Sequence, residues 1–111
     1  MNMKLFVLTL RDLSLPQQAV QAGHALAEFL LHGPETDWDN GTLVYLSVKD
    51  EDELQRWVYR LQMKYVDFVT FQEPDLNNKT TALACVCEDK ILSKLNLIES
   101  RINNEQNMCR V

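Results

Sequence analysis

The sequence predicts an α/β domain, a four-stranded mixed sheet flanked by helices in the order β-α-β-α-β-β-α. Three observations predict it. Short apolar runs rich in β-formers alternate with longer stretches of helical period. The helical stretches carry start and stop signals at their ends. The third and fourth apolar runs are joined by a short polar loop, so an antiparallel pair should adjoin strands linked by crossover helices. A length of 111 residues fits one domain over residues 1–111, and no internal repeat or low-complexity segment divides it.

The elements follow in order. Lys4 to Leu10, KLFVLTL, has the length and composition of a buried strand. Ser14 then opens a helix: Ser14 and Gln17 have the spacing of a capping box, and Pro16 suits the first turn. It should stop near His32, with Gly33 in the left-handed cap position and Pro34 beyond. The loop ETDWDNGT follows, with Asn40-Gly41 as a turn signal; its Trp38 is either an exposed docking residue or a lid folded over the core edge. Thr42 to Val48 is the second strand. In the second helix, KDEDELQRWVYRLQMK, Asp50, Glu51, Asp52 and Glu53 crowd the start while Arg60 and Lys64 lie near the end, as the helix dipole favours. Leu54, Trp57, Val58 and Leu61 form its apolar stripe. Val66 to Gln72 alternates as a third strand, EPDLNNK is a loop, and Thr80 to Cys87 is the fourth strand. KILSKLNLIESRI reads as a last amphipathic helix, wide enough in its apolar face for a homodimer contact, and residues 103–111 as a flexible tail.

Composition narrows the function. A net charge of −5 and a pI near 4.9 count against tight, non-specific binding of nucleic acid, though not against a local basic patch. Arg56, Arg60 and Lys64, spaced by four, make one such stripe, which is either a solvated face paired with Asp52 and Glu53 or an RNA contact. Three cysteines, two of them in the fourth strand, are a poor disulfide framework and have no metal-ligand spacing with His24 or His32. Neither a metal nor a cofactor is expected. No apolar run reaches bilayer length and the N-terminus lacks a cleavage site, so no membrane partner is expected and the cytoplasm is the expected location.

The first helix is the unusual element. Gln17, Gln21, His24 and Glu28 share one face, while Ala19, Ala22, Gly23, Leu26 and Leu30 lie on another. Gly23 in mid-helix costs up to about 1 kcal/mol against alanine. Close docking on the sheet through Ala19, Gly23 and Leu26 would offset that, leaving the polar stripe to face outward or into a cleft. Ligands of open α/β sheets sit beyond the carboxyl ends of parallel strands, near helix N-termini, and Gln17 falls there.

Two segments resemble a known family. AVQAGHA, Ala19 to Ala25, resembles the A-x-Q-x-x-H-A segment of the archaeal and eukaryotic type of peptidyl-tRNA hydrolase, and LRDLS, Leu10 to Ser14, resembles the strand end that precedes it there. QEPDLNNKTT, Gln72 to Thr81, resembles the family's second segment, R-D-A-G followed by threonines. The layout agrees over nearly the whole chain. The resemblance implies a metal-free hydrolase that cleaves the ester between a peptide and the terminal ribose of tRNA. It implies a cleft holding Gln17, Gln21 and His24, with Glu73 as general base, Asp75 as its nearby alternative, and Thr80 or Thr81 positioning water. Gln17 stands where the family has a lysine, and the arginine and glycine of the second segment are missing. A neutral amide stabilises developing oxyanion charge less than a cation does. Lys79 or Arg11 could supply the lost charge, and Arg56, Arg60 and Lys64 could bind substrate.

Two readings therefore stand side by side. One is a divergent peptidyl-tRNA hydrolase. The other is a binding module of the same fold, without chemistry, that recognises tRNA or a protein partner.

Overall fold

β1 (Met3–Leu10) takes the centre of the sheet because Leu5 through Leu10 are all buried, and only a strand covered on both faces and both edges can hide such a run. The computed structural model describes residues 3–98. From β1 the chain continues through α1 (Leu15–His32), β2 (Leu43–Val48), α2 (Glu51–Met63), β3 (Phe68–Glu73), a 3-10 turn (Pro74–Leu76), β4 (Lys79–Glu88), the short α3 (Asp89–Leu92) and β5 (Asn96–Leu97). The sheet order is β3-β4-β1-β2-β5. β1 and β2 are parallel, with Leu5 opposite Leu43 and Leu10 opposite Val48. β4 is antiparallel to both β1 and β3, and β5 is antiparallel to β2.

The chain moves one way along the sheet from β1 to β2 and back past β1 to reach β3. Right-handed crossovers then place α1 and α2 on opposite faces, and the core divides accordingly. Leu5, Val7, Ala82 and Ala84 pack beneath Ala22, Ala25 and Phe29 of α1. Phe6, Leu8, Leu10, Leu83 and Cys85 pack against Leu54 and Leu61 of α2 and Leu92 of α3. Cys85 and Cys87 are buried free thiols, and the described residues hold no group of three or more metal-ligating side chains. No helix among them is long and apolar enough to cross a membrane.

Caps define the helix ends. Ser14 Oγ accepts the Gln17 N–H at 3.3 Å, and Asp50 Oδ1 accepts the Glu53 N–H at 3.0 Å while Glu53 Oε1 accepts the Lys49 N–H at 2.6 Å. α2 ends in a Schellman motif: Val66 N–H donates to Leu61 O, Tyr65 N–H to Gln62 O, and Tyr65 takes the left-handed conformation at φ 58°. Gly33 is extended at φ −83°, not left-handed as expected. Its missing side chain serves close approach instead, since a Cβ there would lie 2.5 Å from Phe29 O.

Two further expectations are corrected, and one alternative left open is decided. The last helix is one turn long, and the chain then forms a fifth strand, so the sheet has five strands and not four. β2 would otherwise expose an unpaired edge; Leu97 and Asn96 pair with Leu46 and Ser47 and satisfy it. The remainder of that expected helix and the tail lie outside the described residues. α1 docks through Gln18, Gln21, Ala22, Ala25 and Phe29, while Ala19 and Leu30 are exposed. Gly23 makes no close approach, since a Cβ there would meet nothing within 4 Å. The helix is turned by its largest ring, Phe29, and by partners that await the Gln21 amide under it. Finally, Trp38 is a lid: it packs on the α1-side core and its indole N–H donates to Thr42 O at 3.0 Å.

Candidate functional site

β1 and β2 are adjacent, parallel, and followed by helices on opposite faces. That is the arrangement in which an open sheet leaves a crevice at its carboxyl ends. The residues there come from the end of β1, the first turns of α1 and α2, the end of β3 and the start of β4.

A chain of hydrogen bonds runs across the α1 side of this end. The Thr9 hydroxyl donates to Thr81 O at 2.9 Å, the Thr81 hydroxyl donates to Gln21 Oε1 at 2.6 Å, and Gln21 Nε2 donates to Glu73 Oε1 at 2.8 Å. The second carboxylate oxygen of Glu73 accepts the Asp75 N–H at 3.2 Å. The Thr81 hydroxyl and the Gln21 amide are thus polarised onto the Glu73 carboxylate, while Thr9 anchors the Thr81 backbone beside them. The Gln21 amide, the Asp75 N–H and, more weakly, the charge of His24 hold the Glu73 carboxyl below its ordinary value. Gln21 and Thr81 are buried, so each would be costly to leave unpaired.

Backbone irregularities build this chain. On a regular β4, Thr81 would share a face with Leu83 and Cys85, which point toward α2. The ladder instead pairs Phe71 with Ala82 and Gln72 with Thr80, leaving Thr81 as the extra residue of a bulge. The bulge turns its hydroxyl to the α1 side, where Gln21 meets it. Beyond β3, Asn77 and Asn78 both take positive φ, 58° and 60°, which turns the chain back into β4 and sets the Glu73 segment beside it.

His24 stacks on Phe71, with ring centroids 4.5 Å apart and planes 8° apart, and forms the outer wall next to Glu73. Lys79 is the cross-strand partner of Glu73. On the other face, Glu51 of α2 reaches over to accept the Thr80 N–H at 3.0 Å. Arg11 is half-buried in the crevice and donates to Ser47 O at 3.3 Å.

The sequence-derived candidates thus divide. Gln21, His24, Glu73, Asp75, Thr80 and Thr81 come together, with Lys79 alongside. Gln17 lies exposed on the first turn of α1, outside the hydrogen-bonded chain, and Arg11 sits one strand over. Arg56, Arg60 and Lys64 ride on α2, across the sheet from Gln21. No ion pair reaches them among the described residues, and Arg60 lies 4.8 Å above the Trp57 ring. Asp52 and Glu53 therefore do not neutralise that stripe. The polar stripe of the first helix is also divided: Gln21 turns inward, and Glu28 faces His32 at 3.4 Å. Thr9, Glu51 and Phe71 escaped the sequence reading. A single hydroxyl in the apolar run KLFVLTL was the only available sign of Thr9.

The fold and these residues define an open mixed α/β sheet with a polar site at the carboxyl ends of its parallel strands. No family model matches the chain, and no curated protein matches it. Among solved structures it is similar to a protein of unknown function from Agrobacterium tumefaciens str. C58, at 14% identity over 87% of this chain and 98% of that one, with a TM-score of 0.64. At that identity the likeness concerns the fold alone.

Proposed function

We propose that the protein is a divergent peptidyl-tRNA hydrolase that cleaves the ester between a peptide and the terminal ribose of tRNA in the cytoplasm. The observation that carries this reading is the joined chain Thr81–Gln21–Glu73. Its members come from the two separate segments that resemble the family, and they meet at the end of the sheet where ligands of such folds bind.

The chemistry follows from the groups present. A water held against Glu73 would lose its proton to the carboxylate as its oxygen attacks the ester carbon; the ribose oxygen then leaves with the electron pair and takes up a proton. Gln21 fixes the carboxylate, and the Thr81 hydroxyl fixes Gln21, so neither needs to reorganise during attack. Lys79, the cross-strand partner of Glu73, would supply a cation for the developing oxyanion. Incubation with labelled peptidyl-tRNA tests the reading directly: slow release of peptide, lost in Glu73→Gln, is the expected result.

One observation favours the second reading, a binding module without chemistry. Both oxygens of Glu73 already accept hydrogen bonds and its carboxyl is held below the ordinary value, which makes it a weaker base. Binding of tRNA with no cleavage by either the wild type or the Gln17→Lys variant would select that reading.

A further inference from the structure

The end of the sheet opposite the candidate site carries a second surface. Two hollows adjoin there, of about 640 and 410 Å³, and they share Phe29, Pro34, Glu35 and Thr36 as a common wall. Volumes of about 300–1,000 Å³ are the range of ligand sites. Phe29 and Pro34 form an apolar floor common to both hollows; Val66 and Val86 extend it in the second, while the first is otherwise lined mostly by polar groups. The rim is anionic: Asp37 stands on one side of Glu35, and Asp67 and Glu88 stand on the other. Among the described residues no lysine or arginine lines either hollow; Lys90 approaches Glu88 from outside at 3.5 Å. α1 and α2 both end here, so their carboxyl ends add partial negative charge at the same place. Tyr65, 94% exposed at the end of α2, borders the second hollow.

We propose that this groove docks a lysine- or arginine-bearing segment of a partner protein. The long apolar stem of such a side chain fits the Phe29–Pro34 floor, while its charged head meets the carboxylates of the rim. The Tyr65 ring adds a cation–π face. The charged head would find acceptors in the carboxylates of Glu35, Asp37 and Asp67, for which the described residues show no ion pair. The proposal is independent of the chemistry at the other end of the sheet.

The test uses the full chain and a fluorescein-labelled hexa-arginine peptide blocked at both termini, followed by fluorescence anisotropy at physiological salt. Saturable binding is expected. The double variant Glu35→Gln/Asp67→Asn should weaken it by about tenfold or more, since it removes charges in direct contact. Asp12→Asn/Asp52→Asn makes the same change in net charge at exposed positions outside the groove and should alter the affinity less than about twofold, as screened distant charges do. Tyr65→Gly should weaken binding about threefold while leaving the fold intact. Equal losses in the two double variants would mean attraction by net charge alone and would overturn the proposal, as would the absence of saturable binding.

Discussion

Gln21 holds the candidate site together because a primary amide can donate and accept at once. Its oxygen takes the Thr81 hydroxyl and its nitrogen serves Glu73, so one buried side chain connects α1 to both strands of the β3–β4 pair. Removing the amide separates these roles. In Gln21→Leu the Glu73 carboxyl should titrate closer to its ordinary 4.5, because the largest cause of its lowering is gone. The sign follows from linkage: a depressed carboxyl contributes stability above its unfolded value, and that contribution is lost as the pH falls through the folded value. The Glu73 titration, followed by NMR in wild type and variant, checks this; superimposable curves would separate Gln21 from Glu73. The same variant takes from the buried Thr81 hydroxyl its short bond to Gln21 and leaves it only the longer one to Phe71 O at 3.5 Å, at a cost of about 1 kcal/mol in denaturant unfolding. At this scale the sequence was partly legible. Gln21 and His24 stood out by helical spacing, and Glu73 and Thr81 by their resemblance to a known segment. Spacing could not tell that Gln21 faces inward, because that depends on what lies beneath it. Gly23 shows the same limit. Its side is open, so Gly23→Ala should raise stability by about 0.5–1 kcal/mol through helix propensity and a less flexible unfolded chain. Thermal melting would show this as a Tm a few degrees higher; a lower Tm would reveal a contact on that face.

Among the elements, strands and long helices were readable because their periodicity and caps are local. What was not readable depended on partners distant in sequence. The fifth strand is one case: Leu95-Asn96-Leu97 fits either a helix or a strand, and the unpaired edge of β2 decides between them. The bulge at Thr81 is another, since nothing in TTALACVC marks where its register slips against β3. The end of α2 carries a cost that can be measured. Tyr65 occupies the left-handed position of the Schellman motif, where an L-residue pays about 1–2 kcal/mol that glycine does not. Glycine returns part of that gain through greater freedom when unfolded. Tyr65→Gly should therefore stabilise the protein by about 0.5–1 kcal/mol, because the almost fully exposed ring contributes little packing. Urea unfolding with an unchanged m-value is the measurement, and a loss of stability would show that the ring packs against the domain.

For the whole molecule, the topology separates two ends of unlike chemistry. The carboxyl ends of β1 and β2 gather amides, hydroxyls, Arg11, Lys79 and the helix N-termini beside the carboxylates of Glu51, Glu73 and Asp75, whereas the opposite end gathers Glu35, Asp67, Glu88 and the helix C-termini. In the proposed reaction the ester would bind at the first end, against Arg11, Lys79 and the helix N-termini. What that end lacks, in the proposed reaction, is a cation on the first turn of α1, where Gln17 is exposed and has space for a longer side chain. Gln17→Lys would place an ammonium on the amino-terminal turn of the helix, near the carbonyl oxygen of a bound ester. Each 1.4 kcal/mol of added transition-state stabilisation is about tenfold in rate, and a single well-placed donor supplies roughly 3–4 kcal/mol, so cleavage of peptidyl-tRNA should rise about ten- to a thousandfold. Glu73→Gln in the same background should abolish the gain, because a water without a base would face the new charge. The Asp75→Asn variant separates the two acids: its backbone N–H still serves Glu73, so the gain should survive. A gain that persists in Glu73→Gln but disappears in Asp75→Asn would move the base to Asp75, and persistence in both would remove the carboxylates from the mechanism.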